Sequence, residues 1–314
     1  MKLGIDMGGM SIKMGLVNEE NKIIGRITIP TDLTVPYQTL VERMADAVRQ
    51  MLENAGMTLE QCGGIGIGSP GTIDAKQGVI LYSNNFGWEN VPIVEELKKH
   101  LDTRIEIAND ADAAALGEVC AGAAEGAENA VLLTLGTGVG SGVILDKKIF
   151  RGAMPGGCEL GHLSIRYDGI RCPCGRKGCL EAYASASALL RIAREKAAEH
   201  PESIMNEMCG NDLEQMNGKI PFDAAKAGDE AGMETVKEYE GYLACGIANV
   251  INTFRPEKVI LGGGVAAQKD NLTAPLKDLV KDMCFGGSHG HIADIVTSVL
   301  GNDAGIIGAA NLVV

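Results

Sequence analysis

The sequence is poor in aromatic side chains, with one Trp, six Tyr and five Phe in 314 residues. That scarcity argues against a stacking platform for single-stranded nucleic acid, which needs successive exposed rings. Positive charge is also in deficit: 28 Lys and Arg stand against 41 Asp and Glu, a formal charge of −13. No basic cluster offsets it, so a nucleic-acid backbone or an anionic membrane surface would be repelled. No run of 18 apolar residues occurs, which predicts no transmembrane helix. The opening MKLGIDMGG reaches Asp6 before the apolar core of a signal peptide could form. Internal repeats of solenoid length are missing, as is the P-loop spacing of four residues between Gly and Gly-Lys-Ser/Thr. The expectation is a cytoplasmic protein with a small-molecule partner.

What is present is ordinary globular composition with one excess. The chain is 46% hydrophobic and 22% charged, and its length predicts two domains at roughly 150 residues each. Glycine is high at 42 residues, as expected where the backbone turns tightly and approaches ligands closely. Residues 2–6, the turn GGMSIK and residues 14–17 read as a β-hairpin. Leu40, Val41, Met44, Val48, Met51 and Leu52 recur at helical spacing, predicting a helix over 37–56 with Gly56 past its end. Strands are expected at 65–68, 104–108, 130–135, 142–145 and 258–261. Helices are expected at 95–101, 111–124, 185–200, 223–254 (with a break near Gly228) and 302–312. Residues 201–221 read as a polar connection. The pattern strand, Gly-rich turn, strand occurs twice, at 3–17 and 132–145, which suggests two related α/β halves.

Three glycine turns come after strands. In Asp6-Met-Gly8-Gly9-Met-Ser11-Ile-Lys13 the adjacent glycines would let backbone N–H groups approach a phosphate. Lys13 would supply positive charge, and Asp6 would organise Mg²⁺ through water; a plain glycine hairpin fits the segment equally well. Gly136-Thr137-Gly138-Val-Gly140 and Gly262-Gly263-Gly264 are the other two. Gly66-x-Gly68-x-x-Gly71 matches the dinucleotide fingerprint in letters only, because the turn-rich stretch from Thr72 to Gly78 has no helical period.

The nine cysteines are unevenly spread. Cys172-x-Cys174-x4-Cys179 lies ten residues after His162, a Cys₃His set of the kind that holds structural zinc. In a reducing compartment clustered thiols point to metal rather than disulfides. The other six read as small buried apolar residues. Asp110 closes a strand and opens an Ala-rich helix, so it is either an N-cap or a general base at a strand end, with Asp112 as competitor. Glu159 and Glu181 flank the metal set and would be held by it.

Together these segments resemble the ROK family of sugar kinases and sugar-responsive repressors. DMGGMSIK, GSPG, SNNFGW, ANDADAAALGE, LGTGVGSG, CELGH, CPCGRKGCLE and RPEKVILGGGV run in family order from residue 6 to 265, and the chain looks most like the bacterial glucokinase branch. The resemblance implies an α/β actin-like ATPase (ribonuclease H-like) fold, two α/β domains around a cleft. The division would be a small domain over 1–110, completed by the helix 302–314, and a large domain over 111–301 carrying the zinc knuckle. It implies ATP-dependent phosphorylation of a hexose 6-hydroxyl, glucose first, with N-acetylmannosamine, N-acetylglucosamine, fructose or allose as alternatives and a non-catalytic sugar sensor as a remote one. Asp110 would be the catalytic base. Gly71, Asn85, Asn109, Glu159, His162 and Glu181 would meet the sugar, His162 through one ring nitrogen while the other binds zinc. Asp6, Gly8, Gly9, Ser11, Lys13, Gly136, Thr137, Gly138, Gly140 and Gly262 to Gly264 would hold ATP with Mg²⁺. A homodimer or tetramer is implied. Met10 stands where the family usually has Thr, Cys158 where it has Gly, and Ser141 replaces a common Gly. The repressors of the family begin with a helix-turn-helix, for which the phosphate turn at Asp6 is expected to leave no room.

Overall fold

The computed structural model describes residues 1–287, 289–290 and 292–314. Its first part runs β1 (Lys2–Met7), β2 (Ser11–Val17), β3 (Ile23–Pro30), α1 (Tyr37–Asn54), β4 (Ile65–Ser69), β5 (Thr72–Asp74), β6 (Val79–Ser83), β7 (Trp88–Val91), α2 (Ile93–Lys98), β8 (Ile105–Asn109) and α3 (Asp110–Ala121). The rest comprises β9 (Ala130–Leu135), β10 (Val139–Leu145), β11 (Lys148–Ile149), α4 (Glu181–Ala184), α5 (Ala186–Glu199), α6 (Ile204–Met208), α7 (Ile220–Lys226), α8 (Glu230–Phe254), β12 (Lys258–Gly262), α9 (Asp270–Met283), β13 (Asp294–Thr297) and α10 (Ala304–Ala310).

Two five-stranded sheets share one plan. The first is ordered β3-β2-β1-β4-β8 and the second β11-β10-β9-β12-β13, with a separate three-stranded meander of β5, β6 and β7. In the first sheet β1, β2 and β3 pair antiparallel, then β4 and β8 join in parallel. The twice-seen strand–turn–strand pattern is therefore the opening hairpin of each sheet.

Contacts group the chain into two compact units, residues 1–132, 142–158 and 299–314 in one, and 133–141 with 159–298 in the other. Residue 110, the expected boundary, falls inside the first unit, because α3 packs along α10 there. That packing is at backbone distance. A Cβ on Gly4, Gly66 or Gly117 would overlap the carbonyls of Ile306, Ala309 and Ala304 respectively, and one on Gly308 would overlap that of Ala113. The apolar face read on α1 is buried throughout, Leu40, Val41, Met44, Val48, Met51 and Leu52 all lying against the first sheet's core. Gly56 sits past its end at φ +64°.

Some local expectations shift. α2 begins at Ile93 rather than 95, directly after Pro92, whose fixed φ suits a helix start. Residues 201–221 are not a plain connection: they contain α6 and the start of α7. Ser203 and Asp229, tied by a 2.8 Å hydrogen bond, hold that region, and Asp229 also caps α8 through the Gly232 amide. Of the six scattered cysteines, Cys62, Cys209 and Cys284 are buried, while Cys120, Cys158 and Cys245 are only half-buried.

Candidate active site

In the first unit the candidate residues gather where β1, β4 and β8 end. Asp6 on β1 faces Lys13 across the hairpin register and pairs with Gly68 on β4. The turn between β1 and β2 closes by donation from the Gly8 N–H to the Ser11 carbonyl, 3.0 Å. Thr31 braces it, its hydroxyl donating to the Gly8 carbonyl at 2.6 Å and its N–H to that of Met10. Met10 itself is 90% exposed. Burial raises the Asp6 carboxyl above the ordinary value, with Lys13 pulling it down and the neighbouring Asp110 pushing it up.

β8 passes straight into α3, and this junction corrects one reading of Asp110. The N-cap is Asn109, whose Oδ1 accepts from Ala111 N–H at 2.8 Å and from Asp112 N–H at 3.4 Å. Asn109 also donates through Nδ2 to the Gly71 carbonyl, 3.1 Å, so one side chain joins the helix start to the SPG turn. Gly71 has φ +116°, and a Cβ there would overlap the Tyr82 carbonyl. Asp110 is the first helical residue. Its Oδ1 accepts from the Ala111 N–H at 3.0 Å. Burial raises its carboxyl above the usual range, with amide hydrogen bonds opposing. Asn85 is exposed at the β6–β7 turn, next to Phe86, which is buried against Trp88 at 4.9 Å between rings. Asp112 is buried and lines a cavity of about 190 Å³ together with Asn109, Asp74, Lys76, Arg151 and Gly157. Asp110 does not line it.

The second unit brings the metal set together. Ligating atoms of His162, Cys172, Cys174 and Cys179 all lie within 4.8 Å of one another. The Cys174 and Cys179 sulfurs are 3.6 Å apart, and Cys172 Sγ is 3.8 Å from His162 Nδ1. A tetrahedron with metal–sulfur bonds of about 2.3 Å has edges of about 3.8 Å, so the donor set fits zinc in both chemistry and span. Burial pushes the Cys172 thiol up to about 12 and raises Cys179, whereas a backbone hydrogen bond from Arg176 lowers Cys174. Tight turns at Gly175 and Gly178, with φ +93° and +80°, shape the knuckle. Glu159 is exposed at the turn before His162. Glu181, two residues past Cys179, accepts the Val139 N–H on Oε2 at 3.0 Å.

Two glycine turns also meet in this unit. A Cβ on Gly263, at φ +82°, would lie 2.5 Å from the Leu135 carbonyl, so the 262–264 turn packs directly beside the 136–140 turn. The second turn is held from outside: Ala186 N–H donates to the Gly136 carbonyl at 2.8 Å and Ser187 Oγ to that of Thr137 at 2.9 Å. Thr31, which braces the turn after β1, and Ser187, which braces the turn after β9, were not legible as supports, because side chain to backbone contacts at long separation leave no local pattern.

Paired sheets of one order, each opening on a hairpin with a glycine turn, define an actin-like ATPase fold. The chain belongs to the ROK family, whose family model matches residues 2–314. A glucokinase from Thermotoga maritima is 36% identical over 312 residues, covering 99% of this chain and 96% of its own. A crystal structure of a ROK family glucokinase from Streptomyces griseus in complex with glucose and AMPPNP superimposes with a TM-score of 0.78 at 31% identity, over 99% of this chain and 98% of that one. A ROK hexokinase structure from Thermus thermophilus gives 0.80 at 32%, over 99% and 97%.

Proposed function

We propose that this chain transfers the γ-phosphoryl group of ATP to the 6-hydroxyl of a hexose, with glucose as the substrate. The observation that carries the reading is the β8–α3 junction. Asn109 takes over the capping duty, which leaves Asp110 half-buried on the first helical turn with its affinity for a proton raised. A carboxylate so placed suits a general base, whose contribution is about 10²–10⁴-fold in rate. The relatives named above act on glucose or hexose and support the substrate class.

Phosphoryl transfer asks the protein chiefly to position groups and stabilise charge. The 6–13 turn with Lys13, and the 136–140 and 262–264 turns, would hold the phosphates and nucleoside, with Mg²⁺ arriving with ATP and Asp6 near it. Gly71, Asn85, Asn109, Glu159, His162 and Glu181 would meet the sugar hydroxyls. A pocket built to bond a hydroxyl rejects analogues that lack it, since its own buried groups are then left unpaired. Zinc bound by His162, Cys172, Cys174 and Cys179 would fix the knuckle. Nδ1 of His162 faces the sulfurs, so Nε2 is left for a hydroxyl.

The test is ADP release with Mg-ATP over glucose, mannose, fructose, allose, N-acetylglucosamine and N-acetylmannosamine. Turnover greatest with glucose is expected. A better rate with an acetamido sugar would move the substrate while keeping the chemistry. No turnover with any sugar, by folded protein containing metal, would sink the kinase reading in favour of a sugar sensor.

A further inference from the structure

The second glycine turn is gripped from two sides by the segments that carry the metal ligands. On one side Leu160 N–H, in the turn leading to His162, donates to Ser141 Oγ at 3.0 Å, and a Cβ on Gly161 would overlap the Val139 carbonyl. On the other side lie Glu181, Ala186 and Ser187, all within eight residues of Cys179. Glu181 is the only charged group in this set. Its two oxygens face different neighbours: Oε2 accepts the Val139 N–H at 3.0 Å, while Oε1 lies 3.5 Å from Cys172 Sγ at the knuckle. Gly138 is pressed against the same carboxylate, and a Cβ there would overlap Oε2.

We infer that Glu181 is a positioning residue for the nucleotide: its carboxylate sets the conformation of the 136–140 turn, so that sugar and nucleotide affinities are coupled through this one side chain. The inference rests on the proposed kinase reading and deepens it. An amide–carboxylate hydrogen bond is charge-assisted and stronger than a neutral one. It therefore holds the Val139 N–H, and with it the neighbouring glycine amides, in one arrangement. A hexose hydroxyl that engages Glu181 orders the same carboxylate, which lowers the cost of ordering the turn for phosphate. Such coupling is reciprocal for binding free energies.

The test reads each variant on the ligand it is not assigned to touch. Binding of Mg-AMPPNP without sugar, and of glucose without nucleotide, is measured by calorimetry on the full zinc-loaded chain, with zinc content checked for every variant. Glu181→Ala is expected to weaken sugar-free Mg-AMPPNP binding by about ten-fold. Glu181→Gln, which keeps an acceptor for Val139, is expected to restore most of that loss. Gly138→Ala, which displaces the carboxylate from the nucleotide side, is expected to weaken nucleotide-free glucose binding by at least about five-fold. Wild-type nucleotide affinity in zinc-loaded Glu181→Ala would overturn the inference. If Glu181→Ala loses its zinc or fails to fold, Gly138→Ala decides alone, and unchanged glucose affinity there would overturn it equally. A wild-type chain that binds neither ligand would instead remove the kinase reading, and this inference with it.

Discussion

At the residue scale the two neighbouring acids Asp110 and Asp112 have separable effects. Asp110→Asn is expected to lower kcat by about 10²–10⁴-fold while glucose affinity, measured by calorimetry, changes only a few-fold. Asp112→Asn, altering a cavity wall, is expected to show the reverse weighting. Because burial raises the Asp110 carboxyl, its ionised form is lost as pH falls through a value above the ordinary carboxylate range. The acid limb of kcat/KM should therefore sit higher than that of a solvated Asp. Glu240 shows the same physics without a catalytic assignment. It is buried on α8, its Oε1 has no hydrogen-bond partner among the described residues, and burial raises its carboxyl from 4.5 to about 7. The folded state then binds the proton more tightly than the unfolded chain. Stability is lost as pH rises from the unfolded value through about 7, by about 3 kcal/mol in all at 1.36 kcal/mol per unit. Glu240→Gln is expected to remove that slope, so urea unfolding at pH 8 should show a gain of this order and at pH 4 almost none.

At the scale of elements, the knuckle and the helix starts matter most. Cys174→Ser is expected to drop zinc from one per chain toward none, read by metal analysis of protein purified without chelator. It should also lower the melting temperature, since a structural metal contributes folding energy directly. Asn109→Ala is expected to cost about 1 kcal/mol as a lost cap, with sugar affinity falling as well because the tie to Gly71 goes with it. These elements were legible to different degrees. α1 could be read in full because six apolar side chains repeat at helical spacing on one buried face. β3 could not: its residues alternate between half-buried and exposed, so no strong apolar face marks it. The β5–β7 meander was hidden for another reason, its strands being three to five residues long amid turn formers. α9 carries Leu272, Leu276 and Val280 at helical spacing, but Pro275 inside it breaks the local signal. Among candidate site residues, the metal set could be named from spacing, whereas spacing left Asp110 open between a cap and a base, with Asp112 as competitor, and the family resemblance singled it out. The exchange of roles between Asn109 and Asp110 could not, because a one-residue shift of a helix start decides it.

For the whole molecule, two related halves were suggested by two strand–turn–strand segments, and the return of the C-terminal helix to the first of them by the family resemblance, whereas the passages between units within 132–159 were not foreseen. The chain passes between units at 132/133, 141/142, 158/159 and 298/299. Just past the last passage, buried Glu118 on α3 accepts the N–H groups of Val299 and Leu300, as well as that of Ala123 at 2.7 Å. The 299–314 segment then lays α10 against Gly4, Gly66 and Gly117 at backbone distance. Gly66→Ala, which would drive a methyl into the Ala309 carbonyl, is expected to destabilise the protein by about 1–3 kcal/mol, measured by chemical denaturation.

The late arrival of α10 has a consequence for synthesis. Domains made on a ribosome generally fold in the order in which they emerge. Here the unit that begins first lacks α10 until residues 299–314 emerge, while the unit that begins second has all its residues once 298 is out. Ribosome-bound chains halted with residues 1–298 exposed should therefore show protease protection over 159–298 and digestion within 1–132. The N-terminal half would be the last to close.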